Sequence, residues 1–322
     1  MKILFTGQNH SQGLTADNAT TLVTSAIALN HKTVAGLDDA PDVVVAVDWD
    51  PKCKKVILKA NRLGIPTVLV KNEPKVVSPG NGNPRIDSLF TMVIPVGRPH
   101  PILQFNWPQS WNLDYFEQAE RIDRVCAVSA NKYSFVEGEN YTLRARTYNE
   151  IDSIDVFGFG WDRSQVKNML KLAKELQIAI ASRQLSGSLG SLGAFALRPL
   201  NYLGKTDNKL ETISQYRVSL VIENSAEFMS EKLFDAFLAG SMPVYVGPPL
   251  KSFGIPSSLA FEASPSVESI ESAISDARSV DFNGWKKAVR TWLDRPDTRR
   301  AWDAKFVFGD ALTYIETESG KR

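Results

Sequence analysis

Short runs of β-branched and other apolar residues alternate with helical patterns along the first third of the chain. Each run is four to seven residues long, and "KKVILKANRLGI", between two of them, predicts a helix that ends at Gly64. Strands that are apolar throughout are typical of parallel sheets covered by helices on both faces. The predicted strands are "KILFT" (2–6), "DVVVAV" (42–47), "TVLV" (67–70) and "LFTMVIP" (89–95).

The same alternation returns in the second half, so the chain predicts two Rossmann-like α/β domains. The predicted elements there are strands at 124–129, 153–160, 214–224 and 242–247 and helices at 141–151 and 231–240. An aromatic, proline-broken stretch at 100–120 places the boundary near residue 120, giving domains 1–120 and 121–322. Whether the last helix packs back on the first domain is left open. The Gly/Ser-rich run 182–195 predicts a loop, which either closes over a ligand or merely connects elements.

Composition narrows the class of protein to an ordinary globular one. The chain has 322 residues, and 37 basic against 36 acidic side chains leave a net charge of +1, which gives no reason to expect nucleic acid as a partner. Cys53 and Cys126 stand far apart and the three histidines lack zinc-site spacing, so we expect no metal and no cofactor. Because no stretch approaches the length of a membrane span and no signal peptide is evident, we expect a cytoplasmic protein without an integral membrane segment.

Polar residues surround a predicted helix start in "VIENSAEFMSEKLFDAFLAGSMPVYVG" (221–247). Glu223 and Asn224 follow a strand, and Ser230 suits the N-cap of a helix whose first turn holds Glu231 and Lys232. The carboxyl ends of parallel strands and the N-terminal ends of helices are where open α/β sheets bind phosphates. Acidic and basic residues at a helix start are also ordinary helix-end chemistry, and the pattern alone does not decide between the two interpretations.

The stretch 216–249, "YRVSLVIENSAEFMSEKLFDAFLAGSMPVYVGPP", resembles the signature of the α1,3-fucosyltransferases of glycosyltransferase family 10. The resemblance implies a GT-B-like fold, in which the two parallel sheets face a central cleft. It also implies that Asn224, Glu231 and Lys232 contact the fucose and phosphates of GDP-fucose. Phe228 takes the place of a family tyrosine and could stack on the base or the sugar.

Two further segments resemble the same family. "LRARTYNEIDSI" (143–154) is similar to the segment whose arginine holds the diphosphate, which implies that role for Arg144, with Arg146 as the alternative. "VLVKNEPKVVSPG" (68–80) is similar to the segment that carries the proposed general base, which falls on Glu73. Asp48 and Asp50 also follow a predicted strand and are alternative bases.

The favoured hypothesis is an inverting transfer of fucose from GDP-fucose to a hydroxyl of a glycan acceptor, without a metal. The loop between Glu223 and Glu231 is two residues shorter than in the family, and the resulting spacing of seven residues between the two acids is found in retaining GT-B glycosyltransferases. A retaining enzyme with another nucleotide-sugar is therefore one alternative. A non-catalytic nucleotide-sugar-binding protein is the other. The acceptor, the linkage and the oligomeric state do not follow from the sequence.

Overall fold

The computed structural model describes residues 1–7, 22–99, 105–118, 120–162 and 197–321, with five isolated positions between 173 and 194. The loop predicted at 182–195 lies outside the described residues except for Ala194. The strands are β1 (Lys2–Thr6), β2 (Lys32–Thr33), β3 (Val43–Val47), β4 (Thr67–Lys71), β5 (Met92–Pro95), β6 (Ile122–Val128), β7 (Ile154–Phe157), β8 (Asn201–Gly204), β9 (Tyr216–Ile222), β10 (Met242–Val246) and β11 (Phe261–Glu262).

The helices of the described part are numbered in the same way. They are α1 (Leu22–Ala28), α2 (Lys54–Arg62), α3 (Pro84–Asp87), α4 (Tyr141–Glu150), α5 (Lys209–Ser214), α6 (Lys232–Leu238), α7 (Val267–Ser279), α8 (Phe282–Leu293), α9 (Pro296–Trp302) and α10 (Ala304–Ser319).

The N-terminal unit contains a parallel five-stranded sheet in the order β2-β1-β3-β4-β5. All five residues of β3 and of β4 are buried, as expected of central strands in a parallel sheet that is covered on both faces. Ile57 and Ala60 of α2 pack on one face of the sheet with Val44, Ala46 and Leu69.

The C-terminal unit contains a parallel six-stranded sheet in the order β11-β10-β9-β6-β7-β8. The predicted class of two α/β domains with parallel sheets is therefore confirmed. After β6 the chain continues to β7 and β8 on one side, and it returns to the other side with β9. The strand order thus reverses between β6 and β9, and the crevice at the carboxyl ends of such strands is the usual ligand position in an open α/β sheet.

The division between the units falls after Trp111, whereas the sequence placed it near residue 120. Unit 1 comprises Met1–Trp111 with Pro296–Arg322, and unit 2 comprises Asn112–Arg295. The aromatic stretch is divided because its two parts pack on different cores. The Gln109 N–H donates to the carbonyl of Trp302 at 2.8 Å within unit 1, whereas Phe116 is buried within unit 2. The segment that carries α9 and α10 groups with unit 1, and α10 packs against α1 there.

Within the ranges given above, no helix combines the length and the apolar character that crossing a bilayer requires.

Gly240 ends α6 in a conformation that favours glycine. Its φ is +64°, its N–H donates to the carbonyl of Phe237 at 3.0 Å, and the N–H of Ser241 donates to that of Ala236 at 2.9 Å. These paired bonds are those of a Schellman motif. A Cβ on Gly240 would lie 2.6 Å from the carbonyl oxygen of Phe116, too close for any side chain.

We expect Gly240→Ala to destabilise unit 2 by more than the conformational cost alone, which is about 1–2 kcal/mol. Gly254→Ala is the matched control, because Gly254 has a φ of +69° with no heavy atom within 4 Å of a Cβ. Urea denaturation should place the Gly240→Ala midpoint clearly below that of Gly254→Ala. Equal midpoints would contradict the close approach to Phe116.

Candidate functional site

The candidate donor site lies in unit 2, at the point where the strand order reverses. Glu223 and Asn224 follow β9 directly, and α4 begins close to them, since the N–H of Asn140 donates to the carbonyl of Asn224 at 3.0 Å. Two segments that resemble the same family, residues 143–154 and 216–249, therefore meet at this crevice.

Arg144 of α4 turns its guanidinium toward the end of β9. The side chain is 2% exposed, and its Nη2 donates to the carbonyl of Ile222 at 2.5 Å and to Oδ1 of Asn224 at 3.3 Å. Its Nε has no hydrogen-bond partner among the described residues. Arg146, the alternative, is exposed on the same helix. The structure thus brings Arg144, and not Arg146, to Asn224.

Glu223 is a fully buried carboxylate, 0% exposed, that is held by Ser230. It accepts hydrogen bonds from the Ser230 N–H at 3.0 Å and from the Ser230 hydroxyl at 2.6 Å. Burial raises the pKa of Glu223 above its usual range, although Lys232 and the bonds from Ser230 oppose the shift.

α6 begins at Lys232, one residue later than predicted, and Glu231, with a helical φ of −62° and ψ of −23°, precedes it. The Ser230 oxygen accepts from the Lys232 N–H at 3.5 Å, a long bond of the kind that the predicted N-cap makes. The hydroxyl proton of Ser230 is donated to Glu223, a contact that the sequence did not predict.

Lys232 lies among oxygen atoms at the start of α6. Its Nζ is 2.7 Å from Oγ of Ser230, 3.7 Å from Oε2 of Glu223 and 3.7 Å from Oε1 of Glu231. Lys209, from α5, hydrogen-bonds the same Oε1 of Glu231 at 3.2 Å. Burial would raise the pKa of Glu231, but the charges of Lys232 and Lys209 outweigh it and keep the pKa below its usual range.

Phe228, to which the resemblance gives a stacking role, is 0% exposed. It lies on the loop between Glu223 and Ser230, where its backbone forms a bridge with Ser225. In this position the ring contributes to the core, and stacking on a ligand remains a prediction that requires the loop to move.

Glu73 lies in unit 1, just after β4, and its backbone is fixed by side chains. Its N–H donates to Oδ1 of Asp48 at 2.8 Å, and its carbonyl accepts from Nδ2 of Asn81 at 2.9 Å and from Nη2 of Arg98 at 2.8 Å. The half-buried Glu73 is therefore placed on a rigid support.

The alternative bases have structural roles. Asp48 is 0% exposed with a φ of +54°, and its Oδ1 also accepts from Nδ2 of Asn81 at 2.6 Å. Asp50 caps the short turn that follows, accepting from the N–H of Lys52 at 2.9 Å. Asp48 and Asp50 thus hold backbone groups in place, and the choice of Glu73 as the base stays a prediction.

In the part of the chain that the structure describes, no group of three or more His, Cys, Asp or Glu side chains is arranged to hold a metal ion. The expected independence from metals stays a prediction.

Comparisons with known proteins agree with this fold. No family model matches the chain. A putative fucosyltransferase-like protein of Arabidopsis thaliana is 40% identical over 70 residues, which are 21% of this chain and 14% of that protein. An α1,3-fucosyltransferase structure aligns with 99% of this chain and 90% of its own at 14% identity and a TM-score of 0.56. Alr3699/HepE of Anabaena, in complex with UDP and glucose, aligns with 98% of this chain and all of its own at 11% identity and a TM-score of 0.56.

These likenesses establish a GT-B-like glycosyltransferase fold and confirm the resemblance to the fucosyltransferases. The chain spans 14% of the length of the curated relative. The name of that protein therefore refers mostly to sequence outside the matched segment.

Ser230→Ala should destabilise the protein by about 1–3 kcal/mol at neutral pH, because it removes one hydrogen bond from a buried carboxylate. Since the bond from the Ser230 hydroxyl lowers the pKa of Glu223, its loss raises the folded-state pKa further, while the bond from the Ser230 N–H remains. The cost is therefore full above the folded-state pKa of the variant, and it is lost as the pH falls below that of the wild type, where Glu223 is protonated in both folded proteins.

Urea unfolding at neutral and acidic pH measures this difference. Ser230→Ala should cost less in a Glu223→Gln background, in which no buried charge depends on the hydroxyl. Equal costs in both backgrounds would mean that Ser230 does not act through Glu223.

Proposed function

We propose that this protein is a glycosyltransferase that transfers fucose from GDP-fucose to a hydroxyl of a glycan acceptor with inversion at the anomeric carbon. The observation that carries the proposal is the convergence of Arg144, Asn224, Glu231 and Lys232 at the carboxyl end of β9, where Lys232 reaches Glu223, the neighbour of Asn224. These residues come from two separate segments, and both segments resemble the same family.

The chemistry of the crevice suits a leaving nucleoside diphosphate. Negative charge grows on GDP as the glycosidic bond breaks, and Arg144 and Lys232 are fixed cations that would stabilise it. Because the guanidinium of Arg144 is enclosed, direct contact with a phosphate requires displacement of the groups that cover it. A second structure of an α1,3-fucosyltransferase, at 13% identity and a TM-score of 0.55, contains GDP.

Glu73 is the proposed general base. It would take the proton of the acceptor hydroxyl as that oxygen attacks the anomeric carbon from the side opposite GDP. A positioned base contributes about 10²–10⁴ in rate. The side chains of Asp48, Asn81 and Arg98 hydrogen-bond the backbone of Glu73 and would hold such a base in place.

A retaining transferase with a UDP-sugar is the second candidate, since the similar Alr3699/HepE structure contains UDP and glucose. The spacing of Glu223 and Glu231 favours it only if both acids meet the ligand. Glu223 is fully buried and bound to Ser230, so the spacing gives the retaining candidate little support.

A donor assay tests the function directly. The purified protein is incubated with GDP-fucose, GDP-mannose, UDP-glucose or UDP-galactose in excess chelator, and nucleotide release is measured with and without a mixed glycan acceptor pool. We expect release from GDP-fucose that the acceptors increase and that the chelator does not reduce. Release from a UDP-sugar alone would support the retaining candidate, and GDP binding without any release would indicate a non-catalytic binding protein.

Substitutions separate the base from the phosphate ligands. Glu73→Ala should lower the transfer rate about 10²-fold or more and leave the Kd for GDP nearly unchanged. Arg144→Ala and Lys232→Ala should lower the rate and also raise the Kd about tenfold or more, since a charged hydrogen bond contributes about 1.5–3 kcal/mol. Calorimetric titration with GDP and initial rates give both quantities.

Arg146→Ala is the control, because it removes the same charge from an exposed position of the same helix. Thermal melts exclude misfolding of the Arg144 variant, and Arg144→Lys retains the charge if alanine is not tolerated. Normal transfer by Glu73→Ala would refute the base assignment, and equal effects of the two arginine variants would refute the role of Arg144.

A further inference from the structure

Lys209 is a charged residue of the donor crevice to which the sequence resemblance gives no role. It is the first residue of α5, and its Nζ contacts Oε1 of Glu231 at 3.2 Å and forms an ion pair with Oδ2 of Asp235. Glu231 and Asp235 are four residues apart, so their carboxylates lie on the same side of α6 and repel each other. Lys209 compensates this repulsion from a neighbouring helix.

Lys209 and Lys232 both approach the same oxygen atom, Oε1 of Glu231. Oε1 of Glu231 is 3.2 Å from the ammonium of Lys209 and 3.7 Å from that of Lys232. Lys232 is in turn 3.7 Å from Glu223. How readily the Lys232 ammonium exchanges its carboxylate neighbours for a phosphate therefore depends on how strongly Glu231 attracts it.

Both partners of the contact carry charge at neutral pH. Burial by itself lowers the pKa of Lys209, but Asp235 and Glu231 outweigh this effect and hold the pKa above its usual range. The side chains of Lys209 and Glu231 are each 30% exposed. Solvent therefore weakens the attraction between the two charges but does not abolish it.

We propose that Lys209 is a positioning residue of the donor site, which holds the Glu231 carboxylate so that Lys232 is left to bind the diphosphate. The inference rests on the proposed function, in which Lys232 contacts the phosphates. Without Lys209, Glu231 has Lys232 as its remaining lysine neighbour, and the stronger ion pair competes with the ligand.

The test measures the Kd of GDP, UDP and inorganic pyrophosphate by calorimetric titration. These ligands lack a donor sugar, so a contact between Glu231 and the sugar does not enter the result. Lys209→Met should raise the Kd of the bound diphosphates about five- to tenfold. Lys209→Arg, which keeps the charge, should bind nearly as the wild type does.

Two double variants separate positioning from a general loss of positive charge. Lys209→Met/Glu231→Gln neutralises the Glu231 carboxylate, which faces Lys232. Lys209→Met/Asp235→Asn neutralises the Asp235 carboxylate, which pairs with Lys209 and forms no ion pair with Lys232 among the described residues. We expect only the first to restore the wild-type Kd to within about twofold. Lys287→Met, at an exposed position of the same unit, controls for the change in net charge.

The outcomes distinguish this inference from the proposed function. If GDP binds and both double variants restore the Kd equally, or Lys209→Met has no effect, the positioning role is overturned alone. If UDP binds in place of GDP and shows the expected pattern, the role of Lys209 stands and GDP-fucose is excluded as the donor. If the wild type binds none of the three ligands, both proposals fall. Should Lys209→Met alone fail to fold, the comparison of the two double variants still decides.

Discussion

The arrangement at the carboxyl end of β9 depends on one buried carboxylate, that of Glu223. A carboxylate that is 0% exposed is tolerated only when hydrogen bonds and an opposite charge compensate its loss of hydration. Ser230 supplies both hydrogen bonds and Lys232 lies 3.7 Å away, so the loop that joins them must fold back onto the strand end. This requirement fixes where α6 begins and, with it, where Glu231 and Lys232 lie.

Unit 1 also contains a fully buried acid at the end of a strand. Asp48 follows β3 as Glu223 follows β9, and each is a fully buried acid that accepts from a backbone N–H and from a side chain. In unit 1 the bonds hold the loop after β4, which carries Glu73, and in unit 2 they hold the loop that precedes Lys232. A buried acid at a strand end thus holds a loop on the sheet, and the half-buried candidate residues Glu73 and Lys232 lie on or next to these loops.

The sequence predicted the parts of the structure that depend on local pattern. The buried strands Val43–Val47 and Met242–Val246 follow from their apolar runs, and Gly240 follows from the glycine preference at a helix end. The bond from Ser230 to Glu223 and the place of Lys209 were not predicted, because both depend on tertiary contacts. The hydroxyl of Ser230 meets Glu223 seven residues earlier, and Lys209 meets Glu231 across 22 residues, and neither contact leaves a periodic signal in the sequence.

The charges of the donor crevice are balanced inside the protein before any ligand is considered. Lys209 and Lys232 face Glu223, Glu231 and Asp235, so the five groups together carry no positive excess. Under the proposed function, a phosphate would therefore replace a carboxylate at Lys232, and the gain there would be the difference between two ion pairs, which is smaller than either. A diphosphate that also reached Arg144 would gain a second charged contact. This balance would favour a diphosphate over a single phosphate.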